Sequence, residues 1–117
     1  MRKDDILLAK SIDLAVRIVN VYKHLTGEKK EYVLSKQLLR SGTSIGANAR
    51  EAVYGQSKKD FISKMSIALK EASETEYWLE LLVKTAYLTD EQYESLQRDC
   101  SEVAKLLTAI VKSSKQA

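Results

Sequence analysis

Between Phe61 and Ala86, eight residues recur at steps of 4, 3, 4, 3, 4, 3 and 4: Phe61, Met65, Ala68, Ala72, Thr75, Leu79, Leu82 and Ala86. Alternating threes and fours hold one face of an α-helix to one side, a periodicity no strand reproduces. A helix over residues 58–88 is about 45 Å long at the rise of an α-helix. A rod of that length cannot hide its own stripe, so it needs other rods of similar length beside it.

The rest of the chain supplies them. Over residues 4–26, Leu7, Leu14, Ile18, Val21 and Leu25 share one helical face, and Gly27 with the charged run Glu28-Lys29-Lys30-Glu31 stops the helix. Over residues 32–56, Leu38, Gly42, Ile45, Ala49 and Ala52 keep the same phase, closed by Gly55. Ser57 with Asp60 three residues on reads as a cap for the long helix, and Thr89 with Gln92 reads as a capping box opening a fourth helix over residues 90–113. That helix carries Leu96, Cys100, Val103, Leu107 and Ile110. The 117-residue chain contains no proline and four glycines, so little punctuates it for strands, and it fits one domain. The expectation is an all-α fold, an antiparallel up-and-down four-helix bundle with short joins.

Two helices carry more apolar surface than such a bundle needs. Leu8, Ile12, Ala15, Val19 and Tyr22 form a second stripe on the first helix, about 100° from the first stripe. Ile67, Trp78 and Leu81 flank the core stripe of the third. Doubled stripes call for a second buried contact, and self-association into a homo-oligomer is the common solution; a monomer with a wide core is the alternative.

Several chemistries lack their residues. The lone Cys100 cannot form an internal disulfide, which fits a reducing compartment. No apolar run approaches the ~20 residues of a membrane span or signal core. A cytoplasmic protein without a membrane anchor is expected. The only histidine, His24, has Val21 where a di-iron bundle would need glutamate. No cysteine cluster, phosphate-cradling glycine loop or nucleophile–base set is present, so neither catalysis nor a metal or other cofactor is expected.

The segment from Leu39 to Asn48 is the most unusual. Two glycines, two serines and a threonine are poor helix formers, yet Leu38, Ile45, Ala49 and Ala52 keep helical phase through it. Either Gly42 and Gly46, with Thr43 between them, admit another backbone at close range while Ser41, Ser44, Asn48 and Glu51 form a polar stripe beside the core, or the segment is a loop or broken helix. Glu71 and Glu74 lie on the flanking stripe with Ile67 and Trp78. A half-buried carboxylate needs a partner, which Asn48, Arg40 or Arg50 could supply across the helices, or Lys70 within one.

Charge is uneven. Residues 32–59 carry a net +4 and residues 60–94 a net −5, within an overall +3. Lys36, Arg40, Thr43, Ala47 and Arg50 form a stripe opposite the core face of the second helix, followed by Lys58 and Lys59. Bases flanking small residues leave a helix surface that phosphates can reach. A solvated face is the ordinary alternative. Repetition of the stripe around a symmetric oligomer would strengthen its field.

The string Gln37-Leu38-Leu39-Arg40-Ser41-Gly42-Thr43-Ser44-Ile45-Gly46-Ala47-Asn48, continued by Arg50-Glu51-Ala52, resembles the signature of the bacterial 23S rRNA intervening-sequence proteins, also called four-helix-bundle proteins. Lys59-Asp60-Phe61-Ile62, Ala68-Leu69-Lys70-Glu71-Ala72 and Glu74-Thr75-Glu76-Tyr77-Trp78-Leu79 resemble its second block. The resemblance runs from the first helix to the fourth; Ala49 departs from it, standing where a larger apolar residue is expected. It implies a four-helix subunit of a ring-like homo-oligomer, a homopentamer, in a family of unknown function, some of whose members are encoded within insertions in ribosomal RNA genes. The chain is also similar to the accessory protein of diversity-generating retroelements, a basic pentameric barrel that binds a reverse transcriptase and nucleic acid. The expected function is a non-enzymatic oligomeric scaffold whose Lys36, Arg40, Arg50, Lys58 and Lys59 touch the phosphates of RNA or DNA without reading bases. The alternative is a protein-interaction module with no nucleic-acid role.

Overall fold

A computed structural model gives the architecture and describes residues 2–116. Four helices follow one another: α1 (Lys3–Gly27), α2 (Leu34–Val53), α3 (Lys58–Lys84) and α4 (Asp90–Gln116). Each packs on two neighbours: α1 and α3 stand at opposite corners, and each touches both α2 and α4. The result is an antiparallel four-helix bundle of 46 × 22 × 21 Å, as long as its longest helix requires.

The core is the set of single stripes read from the sequence. Leu7, Leu14, Ile18 and Leu25 of α1 meet Leu38 and Ile45 of α2, Met65, Leu79 and Leu82 of α3, and Val103 and Leu107 of α4, all essentially without solvent contact. Burying each such side chain contributes about 1.5–3 kcal/mol. Ala49 is fully buried in the same cluster, so a small residue there still serves the core. Two buried hydroxyls, Ser41 and Thr75, face one another across α2 and α3 with their oxygens 3.0 Å apart.

Helix ends follow local hydrogen bonding. Ser57 Oγ accepts from the Asp60 N–H at 3.0 Å, starting α3. Thr89 and Gln92 bond reciprocally, the Thr89 N–H to Gln92 Oε1 at 2.9 Å and the Gln92 N–H to Thr89 Oγ1 at 3.1 Å, starting α4. The start of α2 is different from the expected Tyr32. Glu31 is 9% exposed, and its carboxylate accepts from the N–H groups of Val33, Leu34 and Ser35 at 3.1, 3.0 and 2.7 Å. Those are donors a helix start leaves open. Burial alone would push this carboxyl up, but the three backbone donors and the Ser35 hydroxyl outweigh it and hold it below its ordinary value.

Three other ends also differ from the sequence reading. The second helix stops at Val53 rather than 56, and the third at Lys84 rather than 88. Ala86, which continues the 4–3 stepping, sits outside the helix at φ +66° and is exposed. The N–H groups of Tyr87 and Leu88 turn back to the Leu82 carbonyl, and Leu88 plugs the end of the core at 4% exposure. The fourth helix runs on to Gln116.

The second stripe of α1 stays outside the bundle. Ile12 and the adjacent Val16 are half exposed at 50% and 54%, and Leu8, Ala15, Val19 and Tyr22 are partly covered. On α3, Ile67 is exposed, with Trp78 and Leu81 partly covered.

Candidate functional site

The unusual segment of α2 is an unbroken helix, and its small polar residues explain how. Thr43 Oγ1 donates to the Leu39 carbonyl at 2.7 Å, Ser44 Oγ to Arg40 O at 2.6 Å, and Asn48 Nδ2 to Ser44 O at 2.8 Å. Each side chain folds back onto the turn before it, so none reaches across to a neighbour. The glycines face α1. A Cβ at Gly42 would lie 2.8 Å from both γ carbons of Ile18, and one at Gly46 would lie 3.1 Å from Ser11 Oγ. Close approach therefore occurs between α2 and α1 of the same chain.

Beside Gly46 the two helices bound a groove of about 320 Å³. Leu8, Ile12, Ala15, Gly46 and Ala47 make it mainly apolar, and Arg50 stands on its rim.

The outward face of α2 carries the basic stripe. Lys36, Arg40 and Arg50 are exposed, as are Lys58 and Lys59 at the start of α3. From Leu34 to Arg50 the sequence holds no acidic residue. Glu51, the helix's one carboxylate, lies 3.5 Å from Lys64 Nζ of α3. Among the described residues the side chains of Lys36, Arg50 and Lys59 make no ion pair or hydrogen bond.

Arg40 differs from its neighbours. Its Nη1 lies 3.3 Å from Glu71 Oε2 and its Nη2 bonds Glu74 Oε2, joining α2 to α3. The Trp78 indole N–H donates to the same Glu74 oxygen at 3.2 Å. The Arg40 side chain is 49% exposed, against 35% for Glu74 and 15% for Glu71. Of the four side chains whose position suggests pairing with these glutamates, Arg40 alone does so; Asn48 bonds its own helix, and neither Arg50 nor Lys70 reaches them. The indole bond to Glu74 is one that the sequence reading misses, although the i, i+4 spacing of Glu74 and Trp78 allows it.

On the opposite side, Arg17 Nη1 meets Asp99 Oδ2 at 2.6 Å and the Ser95 carbonyl at 3.2 Å, while Lys10 Nζ meets Glu102 Oε1 at 2.8 Å, fastening α1 to α4. His24 Nδ1 lies 3.0 Å from Glu28. Among the described residues no group of three or more His, Cys, Asp or Glu could hold a metal ion, and no helix is long and apolar enough to cross a membrane.

The model of the 23S rRNA-intervening sequence protein family matches residues 3–109, which is nearly the whole bundle. The chain belongs to that family. A solved structure from Bacteroides thetaiotaomicron, described as a protein of unknown function from the S23 ribosomal protein family, superposes with a TM-score of 0.94 at 62% identity. The match covers 95% of this chain and 99% of that one. No curated protein matches the chain. Within the 23S rRNA-intervening sequence protein family, the matched region contains the entire α2 stripe and the Arg40–Glu71–Glu74–Trp78 cluster.

Proposed function

We propose that this chain is a non-enzymatic scaffold that associates with copies of itself and holds the phosphates of RNA or DNA on the outer face of α2. The observation that carries the reading is a helix surface without an acidic residue from Leu34 to Arg50, on which the Lys36 and Arg50 side chains have no protein partner among the described residues, continued by the exposed Lys59. Thr43 and Ala47 between the bases keep that surface low, with the Thr43 hydroxyl turned inward. Point cations along a smooth rod suit a sugar-phosphate backbone, to which binding is driven largely by counterion release and carries little sequence information. The family's name ties its members to an interval of 23S rRNA, a polyanion of the required chemistry.

Self-association rests on the apolar row of α1, where Ile12 and Val16 stay half exposed beside the groove. Assembly would repeat the α2 stripe in every subunit and raise the local field. Light scattering on the purified protein should report a mass that is a multiple of 13.2 kDa. A well-folded monomer at working concentration contradicts this half of the reading.

Affinity for single-stranded RNA and duplex DNA, measured across salt concentrations, tests the other half. The logarithm of affinity should fall linearly with the logarithm of salt. Lys36→Ala with Arg50→Ala should flatten the slope by roughly 1.4–1.8, about 0.7–0.9 for each phosphate no longer neutralised. Salt-insensitive binding, or a slope unchanged in that double variant, is incompatible with phosphates seated on α2.

A further inference from the structure

We infer that Arg40 is a phosphate ligand held in reserve: Glu71 and Glu74 occupy its guanidinium in the free protein and give it up when a nucleic-acid phosphate reaches the face of α2. This inference rests on the phosphate-binding reading above and concerns the regulation of that same surface.

Three features of the cluster support it. Arg40 lies on the same outward stripe as Lys36 and Arg50, and half of its side chain is open to solvent, so a phosphate has access to it where it stands. Its two donors are divided, Nη1 to Glu71 and Nη2 to Glu74. Neither carboxylate receives the parallel two-bond fork in which a guanidinium binds most strongly, and a phosphate can receive it. Lastly, Glu74 keeps a partner if Arg40 departs, because Trp78 Nε1 donates to the same oxygen. Glu71 does not have that provision. Its side chain is only 15% exposed, and losing the guanidinium would leave a poorly solvated charge alone. Glu71 therefore opposes release and Glu74 permits it. Protein carboxylates and phosphates compete for one cation, so that weak polyanions are refused while a strand also engaging Lys36 and Arg50 is accepted.

The cluster contains its own reporter. Trp78 is the only tryptophan in the chain, and it is bonded to the oxygen that Arg40 would leave. Titrating the full-length protein with oligouridylate at low salt should change Trp78 emission in proportion to binding. Arg40→Ala should abolish that change and lower the salt slope by about 0.7, the value of one single-strand phosphate. Glu71→Gln with Glu74→Gln should raise affinity roughly five-fold, the size of a surface ion pair no longer competing. The gain should vanish when Arg40→Ala is added, whereas a bare loss of negative charge would still act there. Arg40→Lys, which keeps the charge without the fork, should restore part of the slope and guards against a folding defect in Arg40→Ala.

Salt-dependent binding through Lys36 and Arg50 with unchanged Trp78 emission would overturn the inference and leave the phosphate-binding reading standing. So would an affinity gain that persists without Arg40. Absence of binding by both the wild type and the Glu71→Gln, Glu74→Gln protein would remove the reading and the inference together.

Discussion

Replacing Gly42 with alanine is a sharp test of how closely α1 and α2 pack. In an ordinary helix interior the change is favourable by about 1 kcal/mol, because alanine loses less backbone freedom on folding. Here the new Cβ would stand 2.8 Å from Ile18 Cγ1, 2.8 Å from Cγ2 and 3.2 Å from Cβ, well inside the ~3.5–4.0 Å optimum for carbon pairs. Ile18 is fully buried, and its β-branch allows essentially one rotamer in a helix. Its two γ carbons cannot both turn aside, so the helices must separate. Overpacking of that kind costs about 1–3 kcal/mol, leaving a net loss of up to about 2 kcal/mol once the propensity gain of about 1 kcal/mol is subtracted.

Gly46→Ala provides the contrast. Its Cβ would meet Ser11 Oγ at 3.1 Å and Cβ at 3.4 Å, a crowding relieved by a shift of only a few tenths of an ångström, so the propensity gain should bring it to within about 0.5 kcal/mol of wild type. In an Ile18→Ala background the γ carbons are gone, and Gly42→Ala should become neutral or stabilising, a coupling of about 2 kcal/mol. Urea unfolding followed by far-ultraviolet circular dichroism, at one fixed protein concentration because association would shift the midpoint, measures each of these proteins. A Gly42→Ala variant more stable than wild type by the full propensity difference would refute the close-packing argument.

Two further predictions concern ionisation. Glu31→Gln removes the charge and one acceptor from the start of α2 and should cost about 1 kcal/mol at neutral pH. Because the folded carboxyl lies below its unfolded value of 4.5, its stabilisation is present above that value and is lost as pH falls through the lower folded one. Urea midpoints of wild type and variant should converge on acidification, and parallel curves would show that the cap contributes nothing. Burial, with smaller contributions from the Glu76 and Asp99 carboxylates, raises the Cys100 thiol to about 12. The folded protein should react only slowly with Ellman's reagent near neutrality. Its stability should decline as pH climbs above 9.0, where the unfolded thiol ionises first, a decline missing from Cys100→Ala.

Much of the architecture was legible because burial in a bundle is periodic. Leu38, Gly42, Ile45, Ala49 and Ala52 are all buried on one face of α2, as their spacing required, despite the poor helix propensity around them. Spacing is blind to where a helix stops when neither glycine nor proline marks the end. Ala86 keeps step with the stripe, yet Leu88 folding back to seal the core ends α3 at Lys84. Glu31 was hidden for another reason: a carboxylate inside a charged run looks like a solvated break, and only the folded chain shows it gathering three amide protons. At the candidate site the outward stripe was readable from sequence. The division of labour within it was not, because Arg40 could serve phosphates or glutamates, and only the antiparallel register of α2 and α3 places it against Glu71 and Glu74.

The two left-handed residues among those described are Lys30 and Ala86, and neither is a glycine; no glycine has a positive φ. Holding a side-chain-bearing residue in that conformation costs roughly 1–2 kcal/mol. Glycine is thus absent from the two left-handed positions, where it would ease the backbone, and present mid-helix, where Gly42 grants clearance to Ile18. At these positions the tolerance to change is the reverse of the usual pattern: Lys30 and Ala86, in connections, have slack for improvement by relaxing substitutions, while Gly42, in the middle of a helix, ordinarily the most forgiving place for an alanine, has almost none.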